Sequence, residues 1–216
     1  LAALLFGLGA RPTHHVSRFT FHAPLIVYAI ILSIAIPLAD RLFPLYIPPS
    51  KPLSAVHDKV AHPELELVYT GWTPFARVDV MWEPNAGGLA WGLSGAYSGY
   101  TPEELFITID AAAITSINRW SGDLEEMRYL NYTPASLAYQ LRPGGKVLTI
   151  GPGGGVDVLT ALYNGAQQIV GVEINPLIVD LIKRPYREFS GGLYTDYPQV
   201  DIQVAEGRNF VSRSPE

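Results

Sequence analysis

Three glycines at alternate positions, Gly151, Gly153 and Gly155, follow an apolar run in "KVLTIGPGGGVDVLTALYNG", residues Lys146–Gly165. A strand, a glycine-crowded turn and a helix in that order bring backbone very close to a ligand. A phosphate-cradling loop needs Lys and then Ser or Thr behind its last glycine, but Val156 and Asp157 stand there. A dinucleotide loop wants Gly or Ala at the place held by Val156, and its pyrophosphate would face Asp157. The amide dipoles of a first helical turn favour one negative group, so Asp157 is read as a dipole partner or as a ligand contact. The spacing G-x-G-x-G fits in full and suits a nucleoside with a zwitterionic tail, laid across strand ends. Glu173 lies twenty-two residues after Gly151 and closes the next apolar run. A carboxylate there accepts two hydrogen bonds from ribose hydroxyls. Glu206, in "AEGRNF", closes the third run and is placed to read an adenine amino group. Two plainer roles stay open: Glu173 as a cap for the following helix, and Glu206 as a surface residue.

These residues need parallel strands with their C-terminal ends together. "KVLTI", a helix from Val156, "QIVGVE" at 168–173, a helix from Pro176 and "VDIQVA" at 200–205 alternate strand with helix. That succession implies an α/β fold with right-handed crossovers. Ahead of it, Thr133 as N-cap with Pro134 at the first position starts a helix that Arg142-Pro143-Gly144-Gly145 stops. From about 66 to 117 the period changes to two. Val78, Val80 and Trp82 alternate with Arg77, Asp79 and Met81, as a half-buried strand requires. "NAGG" at 85–88 reads as a turn, and Leu105, Ile107 and Ile109 share one strand face. The aromatics Trp72, Trp82, Trp91, Tyr97 and Tyr100 are read as core or rim.

The chain has 216 residues, 48% hydrophobic and 16% charged, with net charge −5 and no cysteine. Such composition is apolar for a soluble protein and polar for a fully embedded one. Nothing in it resembles the basic footprint of nucleic-acid binding. The lack of cysteine removes disulfides, thiolate metal sites and a cysteine nucleophile, and no metal is expected. Residues 21–39 run nineteen positions without a formal charge. At ~1.5 Å per residue they reach about 28 Å, close to the ~30 Å of a bilayer core. A transmembrane helix is expected there, with "LAALLFGLGA" before it as the tail of another apolar segment. Arg11 and Arg18 on one flank balance Arg41, Lys51 and Lys59 on the other, so the positive-inside rule does not orient it. The domain expectation is a membrane segment at 1–43, a Pro-rich linker at 44–65, a β-rich subdomain at 66–130 and a partial nucleotide-binding domain at 131–216. The sequence reads as a piece of a longer protein.

The stretch "VLTIGPGGGVDVLTALYNGAQQIVGVEINPLIVDLI" followed by "VDIQVAEGRNFV" resembles the S-adenosylmethionine-type nucleotide fold. It resembles most closely the spermidine synthase (polyamine aminopropyltransferase) family, in its membrane-fused bacterial branch. The likeness covers about Tyr69–Val211 and includes the lead-in "FARVDV…FITIDAAAITSI". The resemblance implies a Rossmann-like, class I methyltransferase-type parallel sheet, truncated here after about three strands. It implies a donor pocket shaped by Gly151, Gly153 and Gly155, with Glu173 on the ribose, Glu206 on the adenine side and Asp157 and Tyr129 as further contacts. It implies S-adenosylmethionine or its decarboxylated form as donor, a small-molecule amine as acceptor, a membrane location with the soluble part in the cytosol, and a homodimer as an option. Three departures stand out. The loop aspartate that holds the aminopropyl amine corresponds to Gly154, a hairpin glutamine falls near Ala76, and "LEEMRYLNY" leaves Tyr129 as the match to the family tyrosine. The catalytic aspartate is expected beyond Glu216. The leading expectation is an aminopropyltransferase-like enzyme. A methyltransferase on an unknown acceptor and a non-catalytic nucleotide sensor are the alternatives, with a dinucleotide oxidoreductase behind them.

Overall fold

The computed structural model describes residues 18–42, 46–87 and 90–214. The chain divides into two compact units between Tyr46 and Ile47. In the first, helix α1 spans Arg18–Leu42, which covers the expected apolar segment. Its side chains are described over 24–35 and at 38, and Ile26, Val27, Ile30, Ile31 and Ile34 are all more than half exposed. Among the described residues, no helix is long and apolar enough to cross a membrane. The transmembrane expectation is therefore not met among the described residues. The opening apolar segment at 1–10, and Arg11, lie outside the described residues.

The second unit begins with an antiparallel meander: β1 (Glu66–Trp72), β2 (Arg77–Gly87), β3 (Glu103–Ile109) and β4 (Ala113–Asn118), paired in that order. Strands β2 and β3 are buried on both faces, where one wet face was expected. Val78, Val80, Leu105 and Ile107 enter the main core, while Met81 and Phe106 pack on the opposite face with Leu53 and Leu65. Leu53, 1% exposed, belongs to a 3₁₀ helix at Pro52–His57. The proline-rich connector therefore folds back and covers the face that alternation had left to solvent. The expected turn at 85–88 is strand as far as Gly87, because a register shift after Trp82 lets β2 continue until Gly87 pairs with Glu103.

A 3₁₀ helix at Leu124–Tyr132 links the meander to α2 (Ser136–Leu141). Thr133 does not cap α2. Its hydroxyl donates back to the Leu130 carbonyl at 2.7 Å, which closes the preceding turn and delays the helix to Ser136. Strands β5 (Lys146–Ile150), β6 (Gln168–Glu173) and β7 (Val200–Val204) then form a parallel sheet in that order. Helices α3 (Val156–Tyr163), α4 (Pro176–Lys183) and α5 (Gly207–Arg213) follow each strand. The arrangement is a mixed α/β fold. Ile107 and Ile117 of the meander share one core with Met127, Val158, Leu159 and Ile178, so the two sheets are held by common apolar burial.

One charge sits inside the meander. Asp79 is fully buried, and its Oδ1 accepts from Arg77 Nη2 at 2.8 Å and from the Thr70 hydroxyl at 2.7 Å. Removing one partner of such a pair leaves an uncompensated buried charge. Arg77→Ala is expected to lower the unfolding free energy by about 3 kcal/mol, read as a lower urea midpoint. A loss below about 1 kcal/mol, the range of a surface pair, would show that Asp79 does not depend on Arg77.

Candidate functional site

The glycine loop is fixed from three directions. The Gly153 amide donates to Glu173 Oε2 at 3.1 Å, and the other oxygen of Glu173 accepts from the Asn175 amide at 2.9 Å. From the far side, the Tyr194 hydroxyl donates to the Gly153 carbonyl at 2.8 Å. Burial and the nearby Glu173 carboxylate push the Tyr194 pKa up, so it acts as a neutral donor. From the meander, Thr115 Oγ1 accepts the Gly154 amide at 2.9 Å. Gly155 ends the loop in the left-handed region, φ 100°, and a Cβ there would meet Leu193 Cδ2 at 2.5 Å. Gly154 is a glycine for a different reason. A Cβ at 154 would fall on the carbonyl group of Ser116, so the backbones of loop and β4 touch.

Between β4 and the loop lies a cavity of about 220 Å³. Its polar lining comes from Glu104, Thr115, Ser116, Tyr129, Asp157 and Thr160, with Gly151 and Pro152 along one side. Among the described residues, no Lys, Arg or His lines it. Pockets that enclose a drug-sized ligand run from ~300 to ~1,000 Å³, so this one suits a short tail and not a whole nucleoside. Glu104 is 2% exposed. The Tyr129 pKa is pushed up by burial and then by the Glu104 charge, against a bond from the Asn118 amide. Desolvation raises the pKa of Asp157, which reaches the cavity from the first turn of α3.

The residues expected at the site separate into three groups. Gly151, Asp157 and Tyr129 line the cavity. Gly153, Gly155 and Glu173 lie behind it, and Glu173, 4% exposed, holds the loop and does not cap α4, whose N-cap is Asn175. Glu206 stands apart as the exposed N-cap of α5, where it accepts from the Arg208 and Asn209 amides at 3.0 and 2.7 Å. Sequence reasoning missed Glu104, Thr115 and Ser116. Only Glu104 left a signal, as a carboxylate near the head of a strand whose Leu105, Ile107 and Ile109 share one apolar face.

No protein-family model matches the chain, and no curated protein matches it. Among solved structures it is similar to the spermidine synthase from Thermotoga maritima, with TM-score 0.44 and 19% identity over 67% of this chain and 43% of that one. It is also similar to a spermidine synthase in complex with the transition-state analogue AdoDATO, with TM-score 0.43 and 20% identity over 67% and 41%. The chain spans less than half the length of these structures.

The contact at Gly154 yields a direct test. Gly154→Ala is expected to destabilise the chain by about 3 kcal/mol, the upper range of overpacking at a rigid site. Gly145→Ala is the comparator, since its Cβ would meet only the Arg142 carbonyl at 3.7 Å. Equal thermal midpoints for the two variants would show that the loop and β4 are not held together as described.

Proposed function

We propose that this chain is the donor-binding part of an aminopropyltransferase-like enzyme that uses decarboxylated S-adenosylmethionine and a small amine acceptor. The observation that carries the reading is the cavity beside the glycine loop, with two carboxylates and no cation among its described lining. A tail ending in an ammonium fits such a wall, whereas a tail with its own carboxylate meets like charge. The nucleoside would lie outside the cavity, across the strand ends, where Gly151 and Ile174 are open to solvent. Glu173, from beneath the loop, would take the ribose and Glu206 the adenine side. The chemistry is attack of an amine nitrogen on the carbon next to a sulfonium: the N–C bond forms as the C–S bond breaks, and the sulfur leaves as the neutral thioether of the nucleoside. The protein's part is positioning, with a carboxylate to accept the proton.

We also propose a membrane location, with the second unit in the cytosol. Support comes from α1, whose described apolar side chains are exposed around the helix, a pattern that water disfavours. The full chain is expected to sediment with membranes, and Ile30→Asp/Ile34→Asp to release it. Retention of the double variant would sink the proposal.

Titration calorimetry of the full chain with the two donors tests the reaction class. The decarboxylated donor is expected to bind about tenfold more tightly, equivalent to about 1.4 kcal/mol. Tighter binding of the carboxylated donor would favour a methyltransferase. Binding of neither would favour a protein without this chemistry.

A further inference from the structure

The cavity has two walls that come from different sheets. Ile114, Thr115 and Ser116 of β4 form one, and Gly151, Pro152 and Asp157 of the glycine loop and α3 form the other. Its width depends on what fixes the gap between them. One peptide unit does so, because the Gly153 carbonyl and the Gly154 amide belong to the same plane. Thr115 Oγ1 accepts that amide at 2.9 Å, and the Tyr194 hydroxyl donates to that carbonyl at 2.8 Å. A peptide between two glycines is otherwise among the easiest to turn, since neither flank carries a Cβ. Here it cannot turn without breaking both bonds.

Tyr194 is itself tied back to the meander. It belongs to the connection between α4 and β7, residues 184–199. In that connection the Phe189 carbonyl accepts the Trp120 amide at 3.0 Å, and Tyr197 stacks on Trp120 with ring centroids 5.0 Å apart. The Arg119 guanidinium lies 4.5 Å from the centre of the Phe189 ring. A Cβ at Gly191 would meet the Trp120 carbonyl oxygen at 2.7 Å, so the two backbones touch there as well. Trp120 lies just beyond the end of β4. The contacts therefore close a circuit: β4, Thr115, the 153–154 peptide, Tyr194, the connection, Trp120 and β4 again.

We infer that the α4–β7 connection is a brace that sets the width of the donor cavity from behind, with Tyr194 and Thr115 as positioning residues that act through this one peptide. Tyr194 is 4% exposed and does not line the cavity, so it reaches a ligand only through the loop. The donor's identity rests on the function proposed above; the brace itself does not.

The role is read by calorimetric titration of the full chain with decarboxylated S-adenosylmethionine, at a temperature where every variant is folded. Tyr194→Phe removes only the hydroxyl and is expected to weaken binding about tenfold, the scale of one buried hydrogen bond. Thr115→Val is expected to do the same, and Thr115→Ser, which keeps a hydroxyl, to stay within about twofold of wild type. The double variant Thr115→Val/Tyr194→Phe is expected to lose about tenfold and not about a hundredfold, because both changes release one peptide. Wild-type affinity in Tyr194→Phe overturns the inference, since a hydroxyl that only stabilised the fold would lower the thermal midpoint alone. Full additivity overturns it too, as does a loss in Thr115→Ser equal to that in Thr115→Val. Hydrogen exchange of the Gly154 amide in the ligand-free chain gives a second readout. Tyr194→Phe is expected to speed it about tenfold, with the core amide of Ile107 changed less. That acceleration in a protein whose wild type binds no donor would sink the aminopropyltransferase reading and leave the brace. Unchanged exchange in Tyr194→Phe, with donor binding intact, would sink the brace and leave the reading. If Tyr194→Phe does not fold, Thr115→Val against Thr115→Ser is read by the same criteria.

Discussion

The backbone contact between Gly154 and Ser116 is the constraint on which the site depends. It brings the edge strand of an antiparallel meander against the turn of a parallel sheet, closer than any side chain at 154 would permit. Both surfaces must then be held in register, and buried polar groups do this. Thr115 takes the Gly154 amide, Glu173 takes the amides of Gly153 and Asn175, and Tyr194 takes the Gly153 carbonyl. Each of these bonds satisfies a group that would otherwise be costly to bury. The shared core of Ile107, Ile117, Val158 and Leu159 supplies the non-directional part of the same attachment.

That constraint gives Glu173 a double duty. A carboxylate at the end of the second strand can receive ribose hydroxyls, but here each of its oxygens already accepts one backbone amide. Each carboxylate oxygen has a second lone pair, so loop support and ligand contact are compatible in kind. Loop support and the proposed ribose contact would therefore fall to one residue. Glu206 is different: it is exposed and spends both oxygens on the first turn of α5, where competition with water makes further bonds weak.

The parallel sheet was legible in the sequence because its signals are local. Apolar runs, Gly151 to Gly155, the Asn175-Pro176 helix start and the strand-end Glu173 lie within short windows, and each fell where the pattern placed it. What failed depended on residues far apart in the chain. The alternation of Val78 and Val80 with Asp79 and Met81 promised one wet face. Leu53, more than twenty residues earlier, covers it. Thr133 has the type and position of an N-cap, yet its hydroxyl finds the Leu130 carbonyl first. Thr115 and Ser116 carry no motif and become site residues only because β4 lies against the loop.

Glu104 and Asp79 show how one meander treats two buried carboxylates. Asp79 is neutralised from within its own sheet by Arg77 and Thr70, and it lies on the side sealed by the folded-back connector. Glu104 lines the cavity together with Asp157, whose pKa is raised through desolvation. A raised carboxylate pKa means that the surroundings disfavour the charged form. A bound ammonium reverses that preference, and the ionised carboxylate in turn strengthens the ammonium's hold, so proton and amine compete for the same wall. For Asp157, desolvation is thus a cost that a cationic ligand would offset and an anionic or neutral tail would not.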